Sequence, residues 1–244
     1  MRQPLATAKA DENGQPGRRL PVFVCASLLA LVWFCFAPVY AQAIDTGSLN
    51  ELAQLARAGA PQLALSRMDA EQPGVSEEPV AWMAWEQERL QILASQGMYT
   101  ALVERVDALP AGVDDRFRRF ALGLKADAQI QLAKAVAARA TLRELLWSPA
   151  SDNSLEARSH WQQLVIRSYV MQGLNDDARL ALLRYRQDFG DEDPHWRWLN
   201  AQVMLHTGQQ EAAIRLLKED KSPQGVFLRS TARLRVTPDN AKEN

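Results

Sequence analysis

Small residues recur in this sequence at intervals of 35 to 40 positions, and this regular spacing restricts the fold more than any other feature. The five positions are Gly59, Gly97, Ala133, Gly173 and Gly208. An alanine follows each of them after five residues, except in the second unit, where Ala101 comes one residue early. A period of this length is typical of stacked two-helix units, because one such unit is too small to bury its own apolar face. The spacing predicts an all-α fold of about five antiparallel helix hairpins.

The residues after position 44 are dominated by strong helix formers, and runs that alternate β-branched with polar residues are few. Helix starts are indicated at Ser48 and Asn153, each followed by a glutamate after three residues, and at Asp193, which precedes a proline. The predicted hairpins pair helices at 48–58 and 61–72, 79–96 and 99–109, 114–131 and 134–147, 153–172 and 175–188, and 194–206 and 209–219. A short closing helix is predicted near 225–234.

Each predicted hairpin bends at one of the recurring small residues. A glycine at the bend supplies the left-handed backbone conformation that ends the first helix. The glycines with this structural role are Gly59, Gly97, Gly173 and Gly208. Two helices joined by a short loop approach closely, so only a small side chain such as Ala178 or Ala213 fits after the bend. Ala133 lacks the conformational freedom of glycine, and the third hairpin is therefore expected to bend by another route or to run nearly straight.

Two segments, 173–178 and 208–213, have the form G-x-x-x-x-A and resemble the core of the tetratricopeptide repeat. The similarity extends over about 50–219, although the first and third units are degenerate and the late proline of each unit is irregular. The resemblance implies a right-handed α-solenoid over 44–236, with a groove that binds a protein or peptide partner. The segment 237–244 is predicted to be a disordered tail.

The first 43 residues predict an export signal. Arg18 and Arg19 precede an uncharged run at 20–37, and the small residues Ala41 and Ala43 are suitable cleavage positions. Cleavage after Ala43 is predicted, with Ala41 as the second possibility, and the mature protein would be periplasmic. The uncharged run is near the lower limit for a spanning helix, so a retained membrane anchor is the rival interpretation. Both cysteines lie in this segment, so the mature protein would have no disulfide, thiolate ligand or cysteine nucleophile.

No catalytic or metal-binding motif occurs in the sequence, which lacks HExxH, CxxC, GxSxG and phosphate-loop patterns. His195 and His206 lie three helical turns apart, so they can share a helix face but not a metal ion. The acidic pairs lie at predicted helix starts, where a carboxylate is favourable. Of the 28 basic and 29 acidic residues, four and two lie in the first 43, and the remainder gives no basic surface typical of nucleic-acid binding. We expect no catalytic site, no metal and no cofactor.

Tryptophans and arginines are the candidate binding residues. An exposed indole ring can stack on a sugar or anchor a peptide, although tryptophan in helical repeats more often fills the core. The arginines that could line a groove are Arg158, Arg167, Arg179, Arg184, Arg186 and Arg197. A solvated face balanced by nearby acids is the alternative interpretation of this set. The residues predicted to contact a partner are Trp161, Arg184, Arg186 and Trp198.

Three functional hypotheses fit these features. The first is a non-catalytic exported scaffold that binds a protein or peptide partner in the cell envelope. The Ala-, Leu- and Arg-rich hairpins are also similar to the superhelical amino-terminal region of soluble lytic murein transglycosylases. This similarity is one of general composition and helical pattern, without a signature motif. That resemblance implies an accessory or truncated relative that associates with peptidoglycan and lacks the catalytic domain, because the family's catalytic Glu-Ser pair does not occur in this chain. The third is a membrane-tethered assembly factor that retains its first segment.

Overall fold

Residues 46–147 and 154–240 are described by this computed structural model, and all of their regular structure is α-helical. The eleven helices of these ranges are α1 (Thr46–Arg57), α2 (Pro61–Glu71), α3 (Pro79–Ser95), α4 (Tyr99–Asp107), α5 (Asp115–Gln131), α6 (Ala135–Trp147), α7 (Leu155–Met171), α8 (Asn175–Phe189), α9 (Pro194–His206), α10 (Gln210–Leu216) and α11 (Pro223–Asn240). The predicted all-α class is confirmed. The predicted export signal lies outside the described residues. Helix α11 extends into the segment 237–244, for which the sequence predicts a disordered tail, and 241–244 are not described.

The helices pack in a simple order along the chain. Each helix contacts the next one, and each odd-numbered helix also contacts the next odd-numbered helix, from α1 through α11. Within the described ranges, no two even-numbered helices make such a contact. The helices therefore form two rows, in which the members of the odd-numbered row touch one another and those of the even-numbered row do not.

The five hairpin bends share one backbone geometry. The bend residue has a positive φ, which is 97° at Gly59, 68° at Gly97, 57° at Ala133, 69° at Gly173 and 77° at Gly208. The next amide donates to the carbonyl five residues earlier, as in the 2.9 Å bond from Met98 to Leu93. The same bond from Lys134 to Gln129 measures 2.8 Å. This Schellman pattern satisfies carbonyls at the end of the first helix of each hairpin.

The expectation that the third hairpin bends by another route is wrong. Ala133 adopts the left-handed conformation that glycine adopts at the other bends. The cost of this conformation for an alanine is only about 1–2 kcal/mol. The apolar contacts between α5 and α6 involve several fully buried side chains, and they are large enough to impose that cost on the bend.

The position five residues after each bend is fully buried. It holds alanine in four hairpins, where Ala64, Ala138, Ala178 and Ala213 each have 0% exposure. In the second hairpin this position holds Leu102, which is equally buried, whereas the early Ala101 is only half-buried. The repeat is therefore not shifted in the second unit. A larger side chain takes the alanine's place between α3 and α4.

Of the three helix starts that the sequence indicates, one is confirmed and two are shifted. Asp193 caps α9 by accepting from the amide of His195 at 2.7 Å, and Pro194 is the first helical residue. The cap of α7 is Ser154, one residue after the predicted Asn153, and it accepts from the amide of Ala157. Helix α1 begins at Thr46, so Ser48 lies inside the helix.

The core is a series of four apolar clusters that follow the chain. They lie among α1–α3, α3–α7, α7–α9 and α9–α11. Trp82 and Phe117 meet edge to face in the largest cluster, with ring centres 6.1 Å apart. Trp85 is buried in the first cluster, so both of these tryptophans fill the core.

A buried ion pair joins α3 to α4. Glu86 is fully buried, and both of its oxygens accept from Arg105, at 2.5 and 2.7 Å. The carboxylate also accepts from Gln72 at 3.1 Å, and Gln72 in turn accepts from Arg89 at 2.8 Å. Arg89 forms a second ion pair with Asp69. Hydrogen bonding to Glu86 raises the pKa of Arg105. Since the two acids balance the two arginines, this network holds α2, α3 and α4 together without a net charge.

Candidate binding groove

Two adjoining clefts lie on the odd-numbered row. The first, which we call the Trp198 cleft, has a volume of about 210 Å³ and lies among α7, α9 and the start of α11. The second, the His206 cleft, has a volume of about 360 Å³ and lies among α5, α7, α9 and α11. Arg167 and Gln202 line both clefts, so the two form one continuous surface. We call this combined surface the groove.

Helical periodicity places the lining residues on one face. On α9 they are His195, Trp198, Leu199, Gln202, Leu205 and His206, and on α7 they are Gln163, Arg167, Val170 and Met171. Spacings of three and four residues bring side chains to the same face of a helix. The sequence expectation that His195 and His206 share a face of α9 is confirmed, and the two histidines lie in different clefts.

Arg167 lies where the two clefts meet. Its Nε atom is buried and has no hydrogen-bond partner among the described residues. Other partly buried arginines are engaged: Arg139 donates to Ser168 and Gln172, and Arg229 donates to three backbone carbonyls. The guanidinium of Arg167 thus keeps unused donor capacity in the centre of the groove.

The lining of the groove is basic and contains no carboxylate among the described residues. Besides Arg167 it includes Arg235, which donates to the carbonyl of Leu205 at 3.1 Å, and His206. Burial, followed by the nearby charge of Arg235, lowers the pKa of His206. His206 is therefore mostly neutral near pH 7, and the permanent charges of the His206 cleft are the two guanidinium groups.

The carboxylates at the edge of the Trp198 cleft are already engaged. Asp220 accepts from the indole of Trp198 at 2.7 Å and from Ser222, and these hydrogen bonds, chiefly that from Ser222, lower the pKa of Asp220. Asp193 contacts the ring of His195 at 3.0 Å and accepts from the hydroxyl of Tyr185 at 3.2 Å. Both acids therefore have partners within the protein.

A separate cleft of about 460 Å³ lies between α5 and α7. Trp161 and Phe120 supply its aromatic lining, and His160 pairs with Asp127 at 2.8 Å on its wall. A Cβ atom at Gly123 would lie 3.4 Å from the indole nitrogen of Trp161, which is an ordinary van der Waals contact. We call it the Trp161 cleft.

The structure distributes the four predicted contact residues over three surfaces. Trp161 is buried but lines the Trp161 cleft, and Trp198 is half-buried and lines the Trp198 cleft. Arg184 and Arg186 lie on α8, an even-numbered helix, and both are exposed. Arg186 pairs with Asp191 at 3.2 Å and lies over the ring of Trp196. The four residues are not brought together.

Sequence reasoning missed Gln202 and Arg235 as groove residues and included Arg167 only in a broader set. The eleven-residue spacing between His195 and His206 was the available signal, because residues at helical spacing between them must share their face. Gln202 is one such residue, seven positions after His195.

Neither metal chemistry nor a membrane span is indicated in the described ranges. Among the residues at 46–147 and 154–240, no group of three or more histidine, cysteine or acidic side chains could hold a metal ion. No helix in these ranges is both long enough and apolar enough to cross a bilayer. Compared with known proteins, the sequence matches no family model, no curated protein and no solved structure.

Proposed function

We propose that this chain is a non-catalytic helical-repeat protein that binds a peptide segment of a partner protein in the groove. The observation that supports this proposal is the continuity of the two clefts through Arg167 and Gln202 along four odd-numbered helices. A surface that crosses several repeats can accept an extended segment, which is how stacked helical repeats commonly bind their partners.

We also propose that the helices form a right-handed, tetratricopeptide-like superhelix with the odd-numbered helices on its inner side. The difference between the two rows supports this arrangement, because helices that touch along one row occupy less length than helices that do not touch. A stack built in this way curves toward the row with contacts. The groove would then lie on the concave surface.

We place this activity in the cell envelope. The support is the sequence of residues 1–43, with its basic start, apolar run and small residues before Ala43. The mass of the exported product would distinguish cleavage after Ala43 from a retained anchor. Retention of the segment in the mature product would contradict the periplasmic proposal and favour the membrane-tethered alternative.

Site-specific photocrosslinking in the native cell tests the binding surface. A benzophenone amino acid at Gln131, an exposed residue that lines the His206 cleft, should crosslink to a partner protein. The matched control is Ala140, an exposed residue on the even-numbered helix of the same hairpin. Equal crosslinking from both positions, or none from Gln131, would contradict the proposal.

Co-sedimentation of the full chain with purified cell walls distinguishes the peptidoglycan-associated alternative. We expect the protein to remain in the supernatant, because the groove lining is suited to a peptide. Specific sedimentation that persists when Gln131 and Gln202 are replaced by bulky residues would favour wall binding at another surface.

A further inference from the structure

We propose that the groove selects an acidic segment, and that Arg167 receives the carboxylate of an aspartate or glutamate side chain in that segment. This inference rests on the proposed function, since it specifies the chemistry of the peptide that the groove binds. It follows from the position of Arg167, its unused donors and the charge of its surroundings.

The free donor of Arg167 is the first argument. A guanidinium has five N–H donors in a planar fork that matches the two oxygens of a carboxylate. The Nε atom of Arg167 is withdrawn from solvent and has no acceptor among the described residues. An atom with no solvent-exposed surface is also closed to a ligand, so a carboxylate would meet the terminal Nη groups of this side chain, which lines both clefts. Binding of a carboxylate is therefore favoured at the outer end of the Arg167 guanidinium.

Charge complementarity is the second argument. The residues that line the groove include Arg167 and Arg235 but no carboxylate within the described ranges. The nearest acids, Asp193 and Asp220, lie at the edge of the Trp198 cleft, where they contact His195 and Trp198. Since the His206 cleft has two arginines and no acid in its described lining, an anionic segment is attracted to it and a cationic one is repelled.

The surroundings of Arg167 fit a peptide better than a small anion. Val170, Leu205 and Leu228 give the His206 cleft an apolar side, which suits an apolar residue next to the acidic one. Gln202 lies beside Arg167 in both clefts and can donate to or accept from a peptide backbone. The expected ligand is thus an acidic side chain flanked by apolar residues.

A random 12-residue peptide library panned against the purified full chain provides the probe. Enriched peptides are synthesised with a fluorophore, and their affinities are measured by fluorescence anisotropy. We expect the enriched peptides to contain an aspartate or glutamate whose replacement by asparagine or glutamine weakens binding at least tenfold. This comparison uses the unaltered protein, so it does not depend on the folding of a variant.

A double-mutant cycle assigns the effect to Arg167. Arg167→Gln should lower the affinity for the acidic peptide about tenfold. It should leave unchanged the affinity for the counterpart in which an amide replaces the acid. Arg167→Glu should bind a peptide in which lysine replaces the acidic residue better than it binds the original. Arg184→Gln, on an exposed position of α8, is the matched control and should leave both affinities unchanged.

The outcomes separate the two proposals. If no selected peptide competes with crosslinking from Gln131, the proposed function itself fails. A second outcome is that peptides occupy the groove without a required acidic residue, or bind the Arg167→Gln variant with unchanged affinity. Either result overturns only the acidic-segment inference. If binding is lost when the peptide's C-terminal carboxyl is amidated and not when its acidic side chain is replaced, Arg167 recognises a chain terminus, which also overturns the inference.

Discussion

Ala133 adopts, with a methyl side chain, a backbone conformation that glycine adopts at the four other bends. Its φ of 57° is in the left-handed region, where the Cβ atom crowds the following carbonyl. The side chain is exposed and makes no compensating contact in the core. The bend therefore stores a local cost that packing of α5 against α6 offsets.

Ala133→Gly should stabilise the protein by about 1 kcal/mol, because glycine adopts positive φ without a steric cost. Urea unfolding followed by circular dichroism measures the change. The matched control is Ala140→Gly, in the exposed middle of α6, which should destabilise by about 1 kcal/mol through lost helix propensity. If both substitutions destabilise equally, the bend at Ala133 is not strained.

The interface within a hairpin is most restricted just after the bend. Ala178 is fully buried and belongs to the cluster that contains Ile166, Val170, Leu182 and Tyr185. Ala178→Leu should destabilise by about 1–3 kcal/mol, because the added carbons have no space between α7 and α8. The exposed Ala140→Leu should change the free energy of unfolding by less than about 0.5 kcal/mol. Unchanged thermal melting of the Ala178 variant would contradict this account of the bend.

Helices α3 and α4 are joined by charge as well as by apolar packing. Glu86→Gln should destabilise by about 3 kcal/mol, because it leaves the guanidinium groups of Arg89 and Arg105 with one carboxylate fewer. The expected cost is at the lower end for a buried pair because the side chain of Arg105 is 38% exposed. Replacing both Glu86 and Arg105 by methionine should recover most of the loss. If the double variant is no more stable than Glu86→Gln, the ion pair does not account for the loss.

The helices could be predicted from the sequence because their limits depend on local chemistry. Glycine at a bend and Asp193 before Pro194 act within a few residues, and the structure places helix ends there. The conformation of Ala133 could not be predicted, for the opposite reason. Its conformation is imposed by contacts between two helices, which outweigh a preference of about 1–2 kcal/mol.

The groove could not be predicted to the same extent. The same residue type on two adjacent helices can have different surroundings, which depend on how the helices pack. Arg167 and Arg184 are both arginines within helices, and nothing in their sequence context favours the first. Only the packing order places α7 in the row whose members touch and α8 in the other row. Arg167 is consequently part of a cleft, whereas Arg184 is exposed.

At the scale of the whole described chain, contacts join only helices that are close in sequence. Each of the described helices contacts helices one or two places away in chain order and no others. Stability in such an arrangement is approximately a sum of unit and neighbour terms, so a local defect should remain local. Leu217 is fully buried in the last cluster, among α9–α11, and Leu217→Ala should cost about 2–5 kcal/mol there. We expect faster amide hydrogen exchange in α9–α11 and unchanged exchange in α3–α6.

Leu142→Ala is the matched control for this measurement, because Leu142 is equally buried but belongs to the largest cluster, among α3–α7. It should accelerate exchange in α3–α7 and affect α11 little, so the two variants should give complementary patterns. A uniform acceleration over all eleven helices of the described ranges would indicate a single cooperative unit. That result would contradict the additive account of stability.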